Sequence, residues 1–144
     1  MRRALFIYQD TFEIPGKPPV PGVIFLDGID ENGRSFTHTY LKDAIDIDGT
    51  NPDSTNRYLE SLLGLLCNEK GEPMDVACHD TTTRGSKIPI TKFIGMSPNI
   101  GKDLRVLMGQ GFVPITGRKP DGESRPLDPD VQEYFAKVIS VREA

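Results

Sequence analysis

Hydrophobic and polar positions recur at two different periods along this chain, and the changes of period mark its elements. Residues 4–14 place Leu5 and Ile7 on one side and Phe6 and Tyr8 on the other, the period-two pattern of a strand rich in β-branched and aromatic residues. The run Pro15-Gly16-Lys17-Pro18-Pro19-Val20-Pro21-Gly22 then stops it, because proline donates no ladder hydrogen bond. Val23 to Ile29 predicts a second strand, Asp30-Glu31-Asn32-Gly33 a turn with a glycine for positive φ, and Arg34 to Leu41 a returning third strand. The period changes at residues 52–67, where Leu59, Leu62, Leu63 and Leu66 recur three and four apart on one face of a helix. Asn51-Pro52 or Ser54-Thr55 can start this helix, and Gly71 follows its exit. Period two returns at Met74 to Asp80 and at Lys87 to Met96, separated by the polar loop Thr81 to Ser86. Ser97 and Pro98 then read as cap and first residue of a helix carrying Ile100, Leu104, Leu107 and Met108, which Gly109 and Gly111 end. Phe112 to Thr116 reads as a short strand or extended piece, residues 117–127 as an exposed loop, and Asp128-Pro129 as the start of a last helix with Val131, Phe135 and Val138.

The fold class is therefore mainly β with helices, α+β: five strands, one helix between the third and the fourth, and a helical extension. A chain of 144 residues is long enough for one core, burying roughly 68% of its unfolded surface. Twelve Pro and fourteen Gly fit a turn-rich β domain better than a helical bundle. Cys67 and Cys78 are too few for a disulfide framework, which makes a reducing cytoplasm the default location. No run of 18 apolar residues occurs, and the Met1-Arg2-Arg3 start leads directly into a strand, so neither membrane insertion nor secretion is expected. The net charge of −4 argues against a surface that attracts polyanions everywhere, although cations gathered on one face would still bind locally.

Catalytic and metal chemistry find little support. Cys78-His79-Asp80 has the residue types of a nucleophilic triad, but neighbours on a strand point to opposite faces. The two histidines and two cysteines lack zinc-ligand spacing, and Asp43, Asp46 and Asp48 before Gly49 lack the spacing and closing glutamate of a calcium loop. No enzyme, cofactor or metal is expected.

The hairpin from Val23 to Leu41, the helix from Tyr58 to Cys67 and the long hairpin from Pro73 to Met96 together resemble the OB-fold single-stranded DNA-binding proteins, in particular small phage- or plasmid-encoded ones. The resemblance lies in element order over about two thirds of the chain and in no diagnostic motif. It implies a five-stranded Greek-key barrel domain over residues 1–98, with residues 99–144 as a helical extension on the same domain. It also implies a non-enzymatic role in DNA replication or recombination, with single-stranded DNA and proteins of those processes as partners. The chain has no Trp, and no acidic tail that would recruit partners. A helix after the barrel often dimerises, so self-association stays open.

Binding single strands takes aromatic rings for stacking and cations along the phosphates. Phe36, His38 and Tyr40 share one face with Arg34, and Phe25 lies on the facing strand. A four-residue turn sets Phe25 opposite His38, whereas a three-residue turn sets Leu26 there, and that one-residue slip exchanges the faces. Lys17, Arg84 and Lys87 lie in or beside the loops flanking this face, and Arg57 opens the helix. The same aromatics read equally as core, with Ser35, Thr37 and Thr39 outward, though Arg34 and His38 fit a small core poorly. The alternative function is a protein-interaction module, a phage-type inhibitor or assembly subunit, in which an acidic or apolar patch replaces the basic groove.

Overall fold

A computed structural model describes residues 3–12, 18–57, 60, 70, 72, 76–77, 87–88 and 98–143. Its centre is a four-stranded sheet of order β3-β2-β1-β6, built from β1 (Ala4–Phe12), β2 (Val20–Ile29), β3 (Ser35–Tyr40) and β6 (Val113–Thr116). A separate two-residue ladder pairs β4 (Val76–Ala77) with β5 (Lys87–Ile88). The helices are α1, described over residues 52–57, α2 (Ile100–Gly109) and α3 (Pro129–Glu143). A 3-10 turn spans Lys42–Ala44.

The α+β class holds, but the sheet is open and no five-stranded barrel closes. The reason lies at β1. It pairs antiparallel with β2 on one side, and β6 lies parallel to it on the other, matching Ala4 with Val113 and Ile7 with Thr116. With both edges of β1 occupied, no later strand can pair there to close a barrel. The segment read as extended at residues 112–116 is thus the outer strand of the sheet, and the C-terminal part of the chain belongs to the same layer as the N-terminal hairpin. Pro114 sits in β6 without cost to the sheet, because an edge strand has one side that need not donate.

The β2–β3 hairpin takes the three-residue turn. Gly33 N–H donates to Asp30 C=O at 3.1 Å, Asp30 N–H donates to Arg34 C=O at 2.9 Å, and Gly33 adopts φ +77°. This is a type I turn closed by a left-handed glycine, the usual three-residue hairpin loop. The register that follows sets Leu26 opposite His38 and Gly28 opposite Phe36.

One sheet face carries Leu5, Ile7, Ile24, Leu26 and Tyr40 against Ile100, Leu104, Phe112, Leu127, Val131, Phe135 and Val138. This is the main core, and each fully buried aliphatic or phenyl group stabilises it by about 1.5–3 kcal/mol. The opposite face buries Tyr8, Phe12, Val23, Phe25, Asp27 and Thr39. The continuous apolar run Val23-Ile24-Phe25-Leu26 follows from this two-sided burial.

Asn99, rather than the expected Ser97, caps α2, its side chain accepting from Lys102 N–H at 2.7 Å. Pro129 opens α3 at the position where a missing N–H is harmless. The segment 117–127 is less exposed than the sequence suggests, for Lys119 and Leu127 are buried. The predicted helix over 58–67, most of the strands over 74–80 and 87–96, and Ser97 lie outside the described residues.

Candidate functional site

Of the nine residues read as a nucleic-acid surface, the described ones do not gather on one face. Phe36, His38 and Tyr40 do share a face, as their spacing requires, but it is the face that packs against the α2–α3 core. Tyr40 is 1% exposed and donates its hydroxyl to Asp103 Oδ2 at 2.6 Å. His38 lies between Phe36, edge-on at 5.3 Å, and Tyr40, stacked at 6.4 Å. Burial pushes its pKa below the usual imidazole value and outweighs the opposing pull of Asp103. His38 is therefore an uncharged group at neutral pH and no partner for phosphate.

Phe25 points to the other face, 2% exposed and stacked on Tyr8 at 5.2 Å. The three-residue turn is the cause, since it sets Leu26 rather than Phe25 among the β3 aromatics. Phe25 and Tyr40 are core residues on opposite sides of the sheet, so they form no common stacking platform. Arg34 is exposed at the turn exit, and Arg57 is exposed on α1. Lys87 lies in β5, away from the four-stranded sheet in strand pairing. Lys17 and Arg84 lie outside the described residues.

A cleft of about 1020 Å³ opens at the end of the sheet where β1 finishes and β2 begins. Its apolar lining comes from Val20, Pro21, Val23, Leu41, Ala44 and Pro126, and its charged lining from Asp10, Lys42, Asp43, Arg57, Glu60 and Asp128. Distant segments meet here because β1 and β2 are antiparallel, β3 ends beside them, and the N-terminus of α3 returns to the same end.

Two ionic clusters bound the cleft. Asp10 pairs with Lys119 at 2.5 Å and with Arg125 at 2.7 Å, and it also accepts from Thr11 N–H at 2.8 Å. Burial opposes ionisation of Asp10, but the Lys119 hydrogen bond, the Thr11 N–H and the two cations outweigh it and hold the carboxyl below its usual value. On the opposite wall, Lys42 reaches Asp130 at 2.9 Å and Asp128 at 3.5 Å. The bond to Asp130 raises the Lys42 pKa and lowers that of Asp130. Gln9 closes the arrangement reciprocally, donating to Asp128 Oδ2 at 2.9 Å while its Oε1 accepts from Asp128 N–H at 3.1 Å.

Sequence reasoning missed Gln9, Asp10, Lys42, Lys119, Arg125 and Asp128. No local signal marks them, because the cluster exists only once residues more than 100 positions apart are brought together. Beneath the cleft wall, Lys119 lies over the Tyr8 ring at 5.8 Å, and Tyr8 donates to the buried Asp27 at 2.7 Å.

A second, smaller groove of about 250 Å³ lies at the opposite end of the sheet, lined by Arg3, Asp30, Arg34, Phe36 and Phe112 among others. Arg3 is held there by Glu31, through bonds of 2.8 and 3.1 Å, and over the Phe112 ring at 5.7 Å. The Arg3 hydrogen bond draws the Glu31 pKa down to about 2.

Among the described residues, no group of three or more His, Cys, Asp and Glu is placed to hold a metal ion, and no helix is long and apolar enough to cross a membrane. Cys78 and His79 lie outside the described residues. No family model matches the chain, and neither a curated protein nor a solved structure matches it.

Proposed function

We propose that this chain is a non-enzymatic protein-interaction module of the cytoplasm that receives part of a partner protein in the cleft at the end of its sheet. The observation that carries this reading is the make-up of the cleft: among the described residues, its apolar lining is accompanied by four carboxylates and two cations. Of those two cations, Lys42 is already paired with Asp128 and Asp130, which among the described lining residues leaves Arg57 to meet an anion. Affinity for a phosphate backbone comes from cations free to neutralise it, and one guanidinium amid carboxylates is a poor start. An apolar floor with a polar, charged rim is the ordinary anatomy of a protein interface.

Single-stranded DNA binding, in replication or recombination, is the second reading. One observation favours it: Arg34 and Phe36 meet Arg3 and Phe112 around the smaller groove, combining cations with aromatic rings. Two experiments separate the readings. Fluorescence anisotropy of a labelled oligo-dT of about 30 nucleotides, with a duplex control, reports any salt-sensitive single-strand binding. The protein-binding reading expects none at low or physiological salt; tight binding that disappears in Arg34→Gln replaces it with the DNA reading. A peptide-display selection on the folded chain, counter-selected against Thr11→Trp, supplies the positive arm. Thr11 is exposed and lines the cleft, so a Trp there obstructs the cleft without touching the core. Failure to recover any peptide blocked by Thr11→Trp would remove the module reading.

A further inference from the structure

We infer that the occupant of the cleft is a basic polypeptide segment that anchors an apolar side chain on the cleft floor, a refinement that rests on the protein-binding reading above. Asp10 is neutralised by Lys119 and Arg125, with Glu123 balancing the second cation through a 3.1 Å contact. Lys42 faces two carboxylates, Asp128 and Asp130, so that wall retains one excess negative charge.

Among the described residues, Asp43 and Glu60 line the cleft as exposed carboxylates with no ion pair, and Arg57 is the one lining cation without one. Each group considered alone is a solvated surface charge. Together Asp43 and Glu60 line a concavity with Val20, Pro21, Val23, Leu41 and Ala44, and a low-dielectric wall strengthens the field that the carboxylates project into it. The complement is a segment with Lys or Arg flanking an apolar residue. A volume of about 1020 Å³ exceeds one side chain and admits several residues of an extended peptide.

Three fluorescein-labelled peptides of about a dozen residues test this, with identical Leu and Ala positions and Lys, Gln or Glu at all others, titrated at low and physiological salt. They are titrated against the wild type, Thr11→Trp and the double variant Asp43→Lys/Glu60→Lys. The inference expects the Lys peptide to bind at least about tenfold more tightly than the Glu peptide, to weaken as salt rises, and to lose about tenfold or more with the charge reversal. Thr11→Trp should abolish that binding, which separates occupancy of the cleft from general attraction to an acidic protein. Equal binding of all three peptides, still blocked by Thr11→Trp, would overturn the charge inference and leave the module reading standing. Binding that ignores Thr11→Trp overturns both. The substituted side chains are exposed, so thermal unfolding of the variants should match the wild type and guards against a folding defect.

Discussion

Gly28→Ala is the sharpest probe of the register that separates the core from the binding-face reading. Gly28 faces Phe36 across the β2–β3 ladder, and a Cβ built on Gly28 would lie 2.2–2.9 Å from the Phe36 Cζ, Cε1 and Cε2 atoms. Its φ is not in the left-handed region, so alanine brings no backbone strain. By itself, replacing a strand glycine with alanine stabilises by about 0.5–1 kcal/mol, because the unfolded chain loses freedom. Against this stands the overlap with Phe36, which cannot swing away freely: its ring is wedged edge-on between His38 at 5.3 Å and Phe112 at 5.5 Å. Overpacking of this kind costs about 1–3 kcal/mol and wins, for a net loss of roughly 0.5–2 kcal/mol.

Urea unfolding measures that loss, and a double-mutant cycle assigns it. In a Phe36→Leu background the ring is gone, so Gly28→Ala should become neutral or stabilising, giving a coupling of about 1–3 kcal/mol. A four-residue turn would instead pair Gly28 with Ser35, where a methyl group is accommodated. If Gly28→Ala leaves stability unchanged or raises it, or costs the same in both backgrounds, the register and the face assignment of Phe36, His38 and Tyr40 are wrong.

Tyr40→Phe should lose about 1.5–3 kcal/mol with the hydroxyl bond to Asp103, while Tyr40→Ala should cost about 3–5 kcal/mol and broaden or unfold the core, both read by calorimetry. Asp10→Asn leaves buried Lys119 without its carboxylate and should cost about 2–4 kcal/mol, with no such loss for Glu123→Gln at the exposed end of the same cluster. Because the folded pKa of Asp10 lies below its reference of 3.8, its contribution is complete above about pH 4 and disappears as the pH falls through the folded value, a slope that Asp10→Asn should remove from a pH-dependent unfolding series. His38 is depressed below 6.5, so its neutral form contributes fully above that pH and stability declines as the pH falls through the lower folded value. An NMR titration of the His38 ring that gave a pKa at or above 6.5 would contradict its burial between Phe36 and Tyr40.

The elements were legible wherever the pattern is local. Strands β1, β2 and β3, the turn at Gly33 and the two C-terminal helices follow from periodicity, capping and proline placement, all of which act over a few residues. What failed was long-range. Nothing in Val113-Pro114-Ile115-Thr116 announces a parallel partner, since a short apolar run pairs wherever the helix before it delivers it, and the barrel expectation fell with that pairing. The turn length decided whether Phe25 or Leu26 joins the β3 aromatics, and Asp30-Glu31-Asn32-Gly33 is compatible with either. His38 looked too polar for an interior, yet a neutral imidazole between two rings is a half-buried side chain with adequate company. The cleft was illegible for a further reason: its ionic groups are ordinary surface charges in sequence, and they acquire meaning only where strand ends and the start of α3 converge.

That convergence also determines where recognition can take place on this sheet. In a barrel of the expected kind, one face of strands β2 and β3 would lie open to a ligand. Here β2 is central and buried on both faces, with Leu26 under the helices and Phe25 and Asp27 on the other side, so no ligand reaches either face without displacing core. The outer edge along β6 is a poor template for strand addition, because Pro114 presents no N–H there. The ends of the strands remain. At one end, Arg3 and Glu31 neutralise each other beside a groove of about 250 Å³. At the other, the β1 and β2 termini, the Lys42–Ala44 turn and α1 surround a space four times larger, where Asp43, Glu60 and Arg57 have no ion pair among the described residues. Exposed charges there are hydrated, so a partner gains from them only where its own charges are complementary and its apolar groups cover the concavity, which is what the proposed basic segment supplies.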